Sequence, residues 1–202
     1  MRAKDTRAKI IEAAMELFWE KGYNSTSISD ILSRTQLNSG SLYHFFPGKQ
    51  DLLLAVLEAY RDGIEEMLLA PAWAGEDDPV ERVFKLLALY RGLILQTECT
   101  YGCPIGSLAL ELHEADPAVR ERLAQNFANW VAAVRRCYEA AADRFPAGMD
   151  FQALAEFTLT VMEGGVMQAR THRDVAYFDR NVAQLRAHID LLVGAVRTPA
   201  AA

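Results

Sequence analysis

The side chains best suited to recognise another molecule stand in one short segment, residues 38–46. Asn38 is a favourable N-cap, so the segment predicts a helix that begins there. Leu42, Phe45 and Phe46 are spaced to share the inner face of that helix. The face left outside consists of Ser39, Gly40, Ser41, Tyr43 and His44. Hydroxyl and imidazole groups can hydrogen-bond base edges or phosphate oxygens, and glycine lets a backbone approach closely.

The elements that would position this face are a tight turn and a second short helix before it. Ser27, followed three residues later by Asp30, resembles a capping box and predicts that helix from Ile28 to about Thr35. Gln36 stands in the turn. Two short helices packed on a preceding helix form a helix-turn-helix, whose second helix fits the major groove of DNA. The plainer alternative is a packed three-helix unit without a binding role.

Lys49 follows Pro47 and Gly48 and begins the next predicted helix. A phosphate at that point would meet both an ammonium group and the positive end of a helix dipole. The position therefore predicts a contact to the DNA backbone that is independent of base sequence.

Two motifs in this region resemble the signature of the TetR family of one-component transcriptional repressors. They are Ser27-Ile28-Ser29-Asp30-Ile31 and Gly40-Ser41-Leu42-Tyr43-His44-Phe45-Phe46-Pro47-Gly48-Lys49, within a resemblance that covers residues 6–57. The chain departs from the family pattern at Ser39, where lysine is frequent, and at Gln36, which must adopt the turn geometry that glycine usually serves. Together the exposed face and the resemblance predict DNA contacts by Ser27, Gln36, Ser39, Gly40, Ser41, Tyr43, His44 and Lys49.

Helical spacing of apolar residues continues along the rest of the chain, so the predicted fold class is all-α with about nine helices. After the first three, helices are expected at 49–69, 80–96, 104–113, 117–144, 151–172 and 176–196. We divide the chain into a helix-turn-helix DNA-binding domain, 1–48, and a ligand-binding and dimerisation domain, 49–197. The second domain starts with the connecting helix, 49–69, and the tail, 198–202, is expected to be disordered.

Charge and composition exclude several classes of protein. The net charge of −6 excludes a globally basic nucleic-acid coat, whereas residues 1–52 hold seven Lys and Arg against six Asp and Glu. The longest stretch without charged residues has 14 residues, too few for a membrane span of roughly 20. Three cysteines, an odd number, favour a reducing cytoplasm over a disulfide framework. We expect a cytoplasmic protein with no cofactor, no metal and no membrane partner.

Gly164 and Gly165 lie in the middle of an apolar helix, where each glycine costs about 1 kcal/mol relative to alanine. Close approach of another helix would offset that cost, and the family resemblance implies that 151–196 supplies dimer helices. A homodimer would also read two half-sites of a pseudo-palindromic operator, because one short recognition helix reads few bases. The alternative for these glycines is a kink within a monomer.

Cys103 stands at the expected start of a helix, where the pKa of a thiol is lowered and its reactivity raised. The run from Gly102 to Glu111 also resembles the electrophile-sensing, N-ethylmaleimide-responsive branch of the family. That resemblance implies covalent modification at Cys103, and Cys99 could act as its resolving partner. The plainer alternative for Cys103 is a small buried hydrophobe.

Apolar side chains of the C-terminal region could line a pocket for flat hydrophobic effectors, although helical spacing makes each more often part of a plain core. The candidates are Tyr90, Phe127, Trp130, Met162 and Met167, and three further residues of the same kind are Trp73, Tyr138 and Phe157. We predict a DNA-binding repressor that is released from its operator by a small-molecule effector or, alternatively, by an electrophile or oxidant that reacts at Cys103.

Two other classes of protein compete with a repressor. A Cys-dependent enzyme would need Cys103 and His113, which would lie about 15 Å apart on one helix. A helical interaction module has no use for the small polar face that begins at Ser39. A zinc site of Cys99, Cys103 and His113 or Cys137 lacks a recognised ligand spacing.

Overall fold

The computed structural model describes residues 3–112, 114 and 116–197. Throughout those residues the backbone forms helices, turns and loops without a strand, which confirms the predicted all-α class. His113 and the tail predicted to be disordered, 198–202, lie outside the described residues. None of the helices formed by the described residues has both the length and the apolar character that a membrane span requires.

The described chain contains ten α-helices. They are α1 (Ala3–Lys21), α2 (Ile28–Thr35), α3 (Ser39–Phe45), α4 (Lys49–Ile64), α5 (Ala70–Trp73), α6 (Pro79–Gln96), α7 (Pro104–Glu111), α8 (Pro117–Ala140), α9 (Phe151–His172) and α10 (Ala176–Arg197). A π-helical turn, Glu65–Leu69, joins α4 directly to the single turn of α5. With that continuous run counted once, the described residues form nine helices, as the sequence predicts.

Three helices end two or more residues away from their predicted last residue. The run that starts at Lys49 does not stop before Pro71, because proline is tolerated in the first turn of α5, and it continues to Trp73. The helix α7 ends at Glu111. The helix α8 ends at Ala140, and a 3₁₀ turn replaces the predicted helical residues 142–144.

The helices pack into two compact units. The first runs up to Gly63 and adds Cys103–Phe127, and the second consists of Ile64–Gly102 and the chain from Ala128 onward. The first unit extends beyond residue 48 because α4, α7 and the start of α8 share one core with α1, α2 and α3. Its buried side chains include Ile10, Leu17, Ile31, Leu42, Leu52, Leu57, Leu108 and Leu123. The functional division at residue 48 stays a prediction.

Polar contacts hold α4 to the start of α8 within the first unit. The buried Asn126 amide donates to the carbonyl of Leu57 at 3.0 Å and to that of Arg122 at 2.9 Å. The Arg122 guanidinium also pairs with Glu58 at 3.0 Å. Sliding α4 along α8 would break a buried hydrogen bond, and leaving a buried polar group unsatisfied costs about 1–3 kcal/mol.

Ion pairs join α6 to other helical segments of the second unit. The Asp78 carboxylate, which caps α6, accepts a hydrogen bond from Arg144 at 2.8 Å. Arg186 of α10 donates to Glu81 of α6 at 2.7 Å. Partly exposed pairs of this kind contribute about 0–1 kcal/mol each to the free energy of unfolding. Their main effect is to fix the position of α6 along the segments that it contacts.

The two mid-helix glycines of α9 have different surroundings. A Cβ on Gly165 would lie 2.9 Å from Cδ2 of Phe178, so Gly165 permits α9 to pack closely on α10 of the same chain. The expectation that Gly165 faces a second subunit is therefore corrected. A Cβ on Gly164 would meet no described atom within 4 Å. Of the two, only Gly164 stays a candidate for a subunit interface.

Candidate nucleic-acid interface

The helix α2 begins with a complete capping box. Ser27 Oγ accepts from the N–H of Asp30 at 3.1 Å, while the Asp30 carboxylate accepts from the N–H of Ser27 at 2.8 Å and from its hydroxyl at 2.6 Å. These hydrogen bonds lower the pKa of Asp30 to about 2. The Ser27 hydroxyl has one proton, and it is already donated within the cap. A phosphate oxygen would therefore find no donor in this hydroxyl while the cap is closed.

The turn between α2 and α3 depends on a left-handed residue that is not glycine. Gln36 has φ +56° and ψ +30°, so it does adopt the geometry that glycine usually serves. The buried Thr35 before it donates its hydroxyl to the carbonyl of Ile31 at 2.8 Å. The helix α2 ends at the left-handed Gln36, and the chain changes direction over residues 36–38 before α3 begins.

The helix α3 presents the outer face that its sequence predicts, with Leu42 fully buried on the inner side. Asn38 caps the helix and accepts from the N–H of Ser41 at 2.8 Å and from its hydroxyl at 3.0 Å. Half of the Tyr43 surface is exposed. The exposed residues of the helix are Ser39, Gly40, Tyr43 and His44. Because Ser41 is only partly exposed and donates to Asn38, the outer face is narrower than predicted.

Lys49 is the first residue of α4, as the sequence predicts, and its side chain is partly buried. Its Nζ lies 4.2 Å from the centroid of the Tyr23 ring, which makes a cation–π contact. Burial lowers the pKa of Lys49, and the negative charges of Glu111 and Asp30 oppose that shift. The ammonium group is therefore held in position within the chain itself.

Glu111, the last residue of α7, also belongs to this site. Its carboxylate accepts hydrogen bonds from the N–H of Tyr23 at 2.9 Å and from the N–H of Asn24 at 2.6 Å. Both N–H groups lie in the turn that follows α1. Sequence reasoning included Glu111 only as part of the run after Gly102. A carboxylate that binds backbone groups 88 positions away leaves no local signal of that contact.

Two basic side chains of the first unit are already paired with carboxylates of the same unit. Arg34 donates to Glu16 at 2.7 Å and to Glu20 at 2.9 Å, which ties α2 to α1. Lys21 lies 3.4 Å from Asp30. Exposed pairs add little stability, about 0–1 kcal/mol each. They do neutralise positive charge that would otherwise attract phosphates.

Two family models match the chain. Residues 10–56 match the model of bacterial regulatory proteins of the tetR family, and residues 79–185 match the tetracyclin repressor-like C-terminal domain. The chain belongs to the TetR family of transcriptional regulators. One relative, a helix-turn-helix-type transcriptional regulator of Mycobacterium tuberculosis, is 32% identical over 184 residues, which are 89% of this chain and 92% of that protein.

Solved structures share the fold of this TetR-family regulator. The regulatory protein TetR of Rhodobacter sphaeroides has a TM-score of 0.81 at 26% identity, covering 90% of this chain and 97% of that one. The reduced form of E. coli NemR has a TM-score of 0.78 at 20% identity, covering 91% and 96%. At that identity the second likeness shows the fold alone, so it does not assign the regulator to the electrophile-sensing branch.

The effector candidates of the regulator differ in burial. Tyr90, Trp130 and Met162 are buried, whereas Phe127 is partly exposed. Met167 is 53% exposed on the outer side of α9. Met167 stays a candidate for contact with an effector, at a more exposed position than the other four. The buried indole N–H of Trp130 has no hydrogen-bond acceptor among the described residues.

The three cysteines of the regulator are all buried. Cys103 is the N-cap of α7, as predicted. Cys99 has φ +56°, and its carbonyl accepts from Arg173 at 2.8 Å. Burial raises the pKa of Cys137 to about 11. Across the residues described, no group of three or more His, Cys, Asp or Glu side chains is placed to hold a metal ion. A reagent that modifies any of the three thiols would have to reach it below the surface.

Proposed function

We propose that this regulator is a homodimeric repressor that leaves its operator when a small-molecule effector binds. The observation that carries the DNA-binding role is the outer face of α3, which is exposed, uncharged at its start and opposite the buried Leu42. Such a face on a short, capped helix suits the base edges in a major groove. Because chromosomal DNA is the target, we place the protein in the cytoplasm.

The proposed contacts fall into two groups, those to base edges and those to phosphate oxygens. Ser39 and the backbone at Gly40 face base edges, whereas Tyr43, His44 and Lys49 donate to phosphate oxygens. Residues at the border of the face make secondary contacts, and these are Ser27, Gln36 and Ser41. The hydroxyl oxygens of Ser27 and Ser41 act there as acceptors, because their protons are donated within the helix caps. Few of these groups are charged, so binding to DNA of unrelated sequence should be weak.

A second copy of the chain would cover the outer side of α9 and α10. Phe157, Gly164 and Met167 follow one another along α9 at helical spacing, and Phe157 is 46% exposed. Leu191 of α10 keeps 74% of its surface exposed. Exposed apolar residues grouped on one side of two helices suit a subunit interface. A dimer would present two copies of α3 to half-sites about one turn of DNA, roughly 34 Å, apart.

Effector binding would favour a dimer state whose two α3 helices no longer match the half-site spacing. Our candidate for the moving element is the connecting helix, 49–69, because its first residue, Lys49, belongs to the DNA-binding face. An effector that favours the non-binding state by about 2.7 kcal/mol lowers operator affinity about a hundredfold. The buried N–H of Trp130 would donate to an acceptor on an otherwise apolar, non-covalent effector.

Selection of DNA from a random-sequence library by the purified chain tests this proposal. We expect an enriched palindromic site with half-site centres about 10 bp apart, bound by a dimer in light scattering. Lys49→Ala and Tyr43→Phe should weaken binding to every site alike, whereas Ser39→Ala should change the preferred bases. A selection that enriches no site, or a tight complex formed by a monomer, would contradict the proposal.

The position of Cys103 favours a second candidate effector, an electrophile or oxidant that reacts with its thiol. Helix N-termini stabilise a thiolate, and Cys103 is the N-cap of α7. Cys99, four residues earlier, would act as the resolving thiol. Cys103→Ser should abolish release from DNA by a quinone and leave release by a reversible ligand nearly intact. If the variant responds to the quinone as the wild type does, Cys103 is a packing residue.

A further inference from the structure

We propose that Glu111 is a positioning residue for operator binding, which acts through the turn after α1 and through Lys49. The inference rests on the proposed function, because it requires Lys49 to hold a phosphate. It assigns to α7 a direct part in shaping the DNA-binding face.

The Glu111 carboxylate contacts the turn that follows α1. The two N–H groups of Tyr23 and Asn24 donate to its two oxygens, at 2.9 and 2.6 Å. Gly22 opens the turn with φ +84°, and a Cβ at that position would lie 2.8 Å from Glu111 Oε2. The carboxylate therefore fits against the backbone only because residue 22 is glycine.

The Tyr23 side chain connects this turn to the ammonium group of Lys49. The Tyr23 ring packs edge-on against Phe18 with 5.3 Å between centroids, and Lys49 Nζ lies 4.2 Å from the centroid of the same Tyr23 ring. The backbone of Tyr23 is fixed by Glu111 and its ring lies beneath Lys49. The negative charge of Glu111 also opposes the lowering of the Lys49 pKa by burial, because the carboxylate attracts the ammonium group. Loss of Glu111 would release the turn and the side chain of Lys49 together.

Two opposing effects determine how the removal of Glu111 changes DNA affinity. A negative charge near a DNA-binding face repels phosphates, so electrostatics alone predicts tighter DNA binding when Glu111 is removed. The positioning role predicts the opposite, because a released Lys49 loses its phosphate contact. Tighter and weaker binding are therefore distinct outcomes that separate the two explanations.

The same contacts give α7 a route to influence DNA binding. Leu108 of α7 is buried in the core of the first unit, and Glu111 stands one turn further along the helix. A displacement of α7 by a few ångströms would break both hydrogen bonds to the turn, since such bonds weaken steeply beyond about 3.2 Å.

The test compares Glu111→Ala and Glu111→Gln with the wild type on a DNA site selected from a random-sequence library. Affinity is measured by fluorescence anisotropy across a series of salt concentrations. We expect Glu111→Ala to weaken binding by on the order of tenfold and to reduce the slope of log K against log[salt] by about one for each subunit, as Lys49→Ala does. The double variant of Glu111 and Lys49 should bind no more weakly than Lys49→Ala alone. Glu111→Gln should be intermediate, because its amide oxygen still accepts one N–H.

Glu12→Ala is the matched control, since Glu12 is exposed on α1 of the same unit and its removal changes the charge equally. It should bind DNA as tightly as the wild type or slightly more tightly. Hydrogen exchange of the Tyr23 and Asn24 amides, followed by NMR without DNA, provides a second readout. Both amides should exchange faster in Glu111→Ala than in the wild type.

The outcomes separate the two proposals. If the wild type enriches no DNA site, the proposed function fails and the positioning role fails with it. If the wild type binds and Glu111→Ala binds equally well or more tightly with an unchanged salt slope, only the positioning role is overturned. If Glu111→Ala does not fold, the affinity and the salt slope of Glu111→Gln are compared with those of the wild type instead. Unchanged values would then overturn the positioning role.

Discussion

At the scale of single residues, Gln36 holds the turn between α2 and α3 in a conformation that favours glycine. A left-handed backbone costs a residue with a Cβ about 1–2 kcal/mol, and the greater entropy of unfolded glycine offsets about 0.5–1 kcal/mol of that. We therefore expect Gln36→Gly to raise the free energy of unfolding by about 0.5–1 kcal/mol, measured by urea denaturation. Gln50→Gly is the control: Gln50 is exposed and helical in α4, so the same substitution should lower stability. A less stable Gln36→Gly would show that the glutamine side chain itself supports the turn.

Asp30 gives the first unit a defined sensitivity to acid. Its folded-state pKa of about 2 lies below the ordinary value of 3.8. A depressed carboxyl pKa stabilises the folded state above the unfolded pKa, and that contribution is lost as the pH falls from about 4 towards 2. Ser27→Ala should return the pKa of Asp30 towards 3.8, because hydrogen bonds from Ser27 are the main cause of the shift. NMR titration of the Asp30 carboxyl carbon measures it, and a pKa still near 2 in the variant would exclude the Ser27 hydroxyl as the main cause.

At the scale of helices, the amino-acid sequence predicts what depends on neighbours along the chain. The caps at Ser27 and Asn38 and the bounds of α9 follow from local spacing, and the structure confirms them. Contacts between distant segments leave no such pattern. The turn-binding role of Glu111 depends on residues far earlier in the chain, and the inward side of Gly165 depends on how α10 packs. Neither could be read from periodicity.

The adjacent glycines of α9 should therefore respond to alanine in opposite ways. Gly165→Ala places a methyl group against Phe178, and overpacking of that kind costs about 1–3 kcal/mol. Gly164→Ala meets no atom of its own chain, so in the unassociated chain it gains up to about 1 kcal/mol of helix propensity. Urea denaturation of the two variants measures the difference, with each serving as the control for the other. Equal effects at both positions would contradict the packing of α9 on α10.

At the scale of the whole molecule, the exposed apolar side of α9 and α10 is the proposed subunit interface. A charge placed there tests it through the oligomeric state. Leu191→Lys should place a charge in the proposed interface and shift the protein to a monomer in light scattering, because an unpaired buried charge is costly. Operator affinity should fall with it. Leu95→Lys on α6 is the control, since Leu95 is 46% exposed and outside that side of the unit. A Leu191→Lys variant that remains dimeric would place the interface elsewhere.

The pairing of Arg34 with Glu16 and Glu20 bears on how quickly the regulator finds its site. A cation already matched by two carboxylates adds little to the long-range field, and the chain as a whole carries a charge of −6. Without electrostatic steering, association rate constants stay near about 10⁵–10⁶ M⁻¹s⁻¹. Stopped-flow mixing with labelled operator should therefore show an association rate that changes little with salt, while the lifetime of the complex changes strongly. Occupancy of the operator would then depend on how long each dimer stays bound and on how many dimers a cell contains.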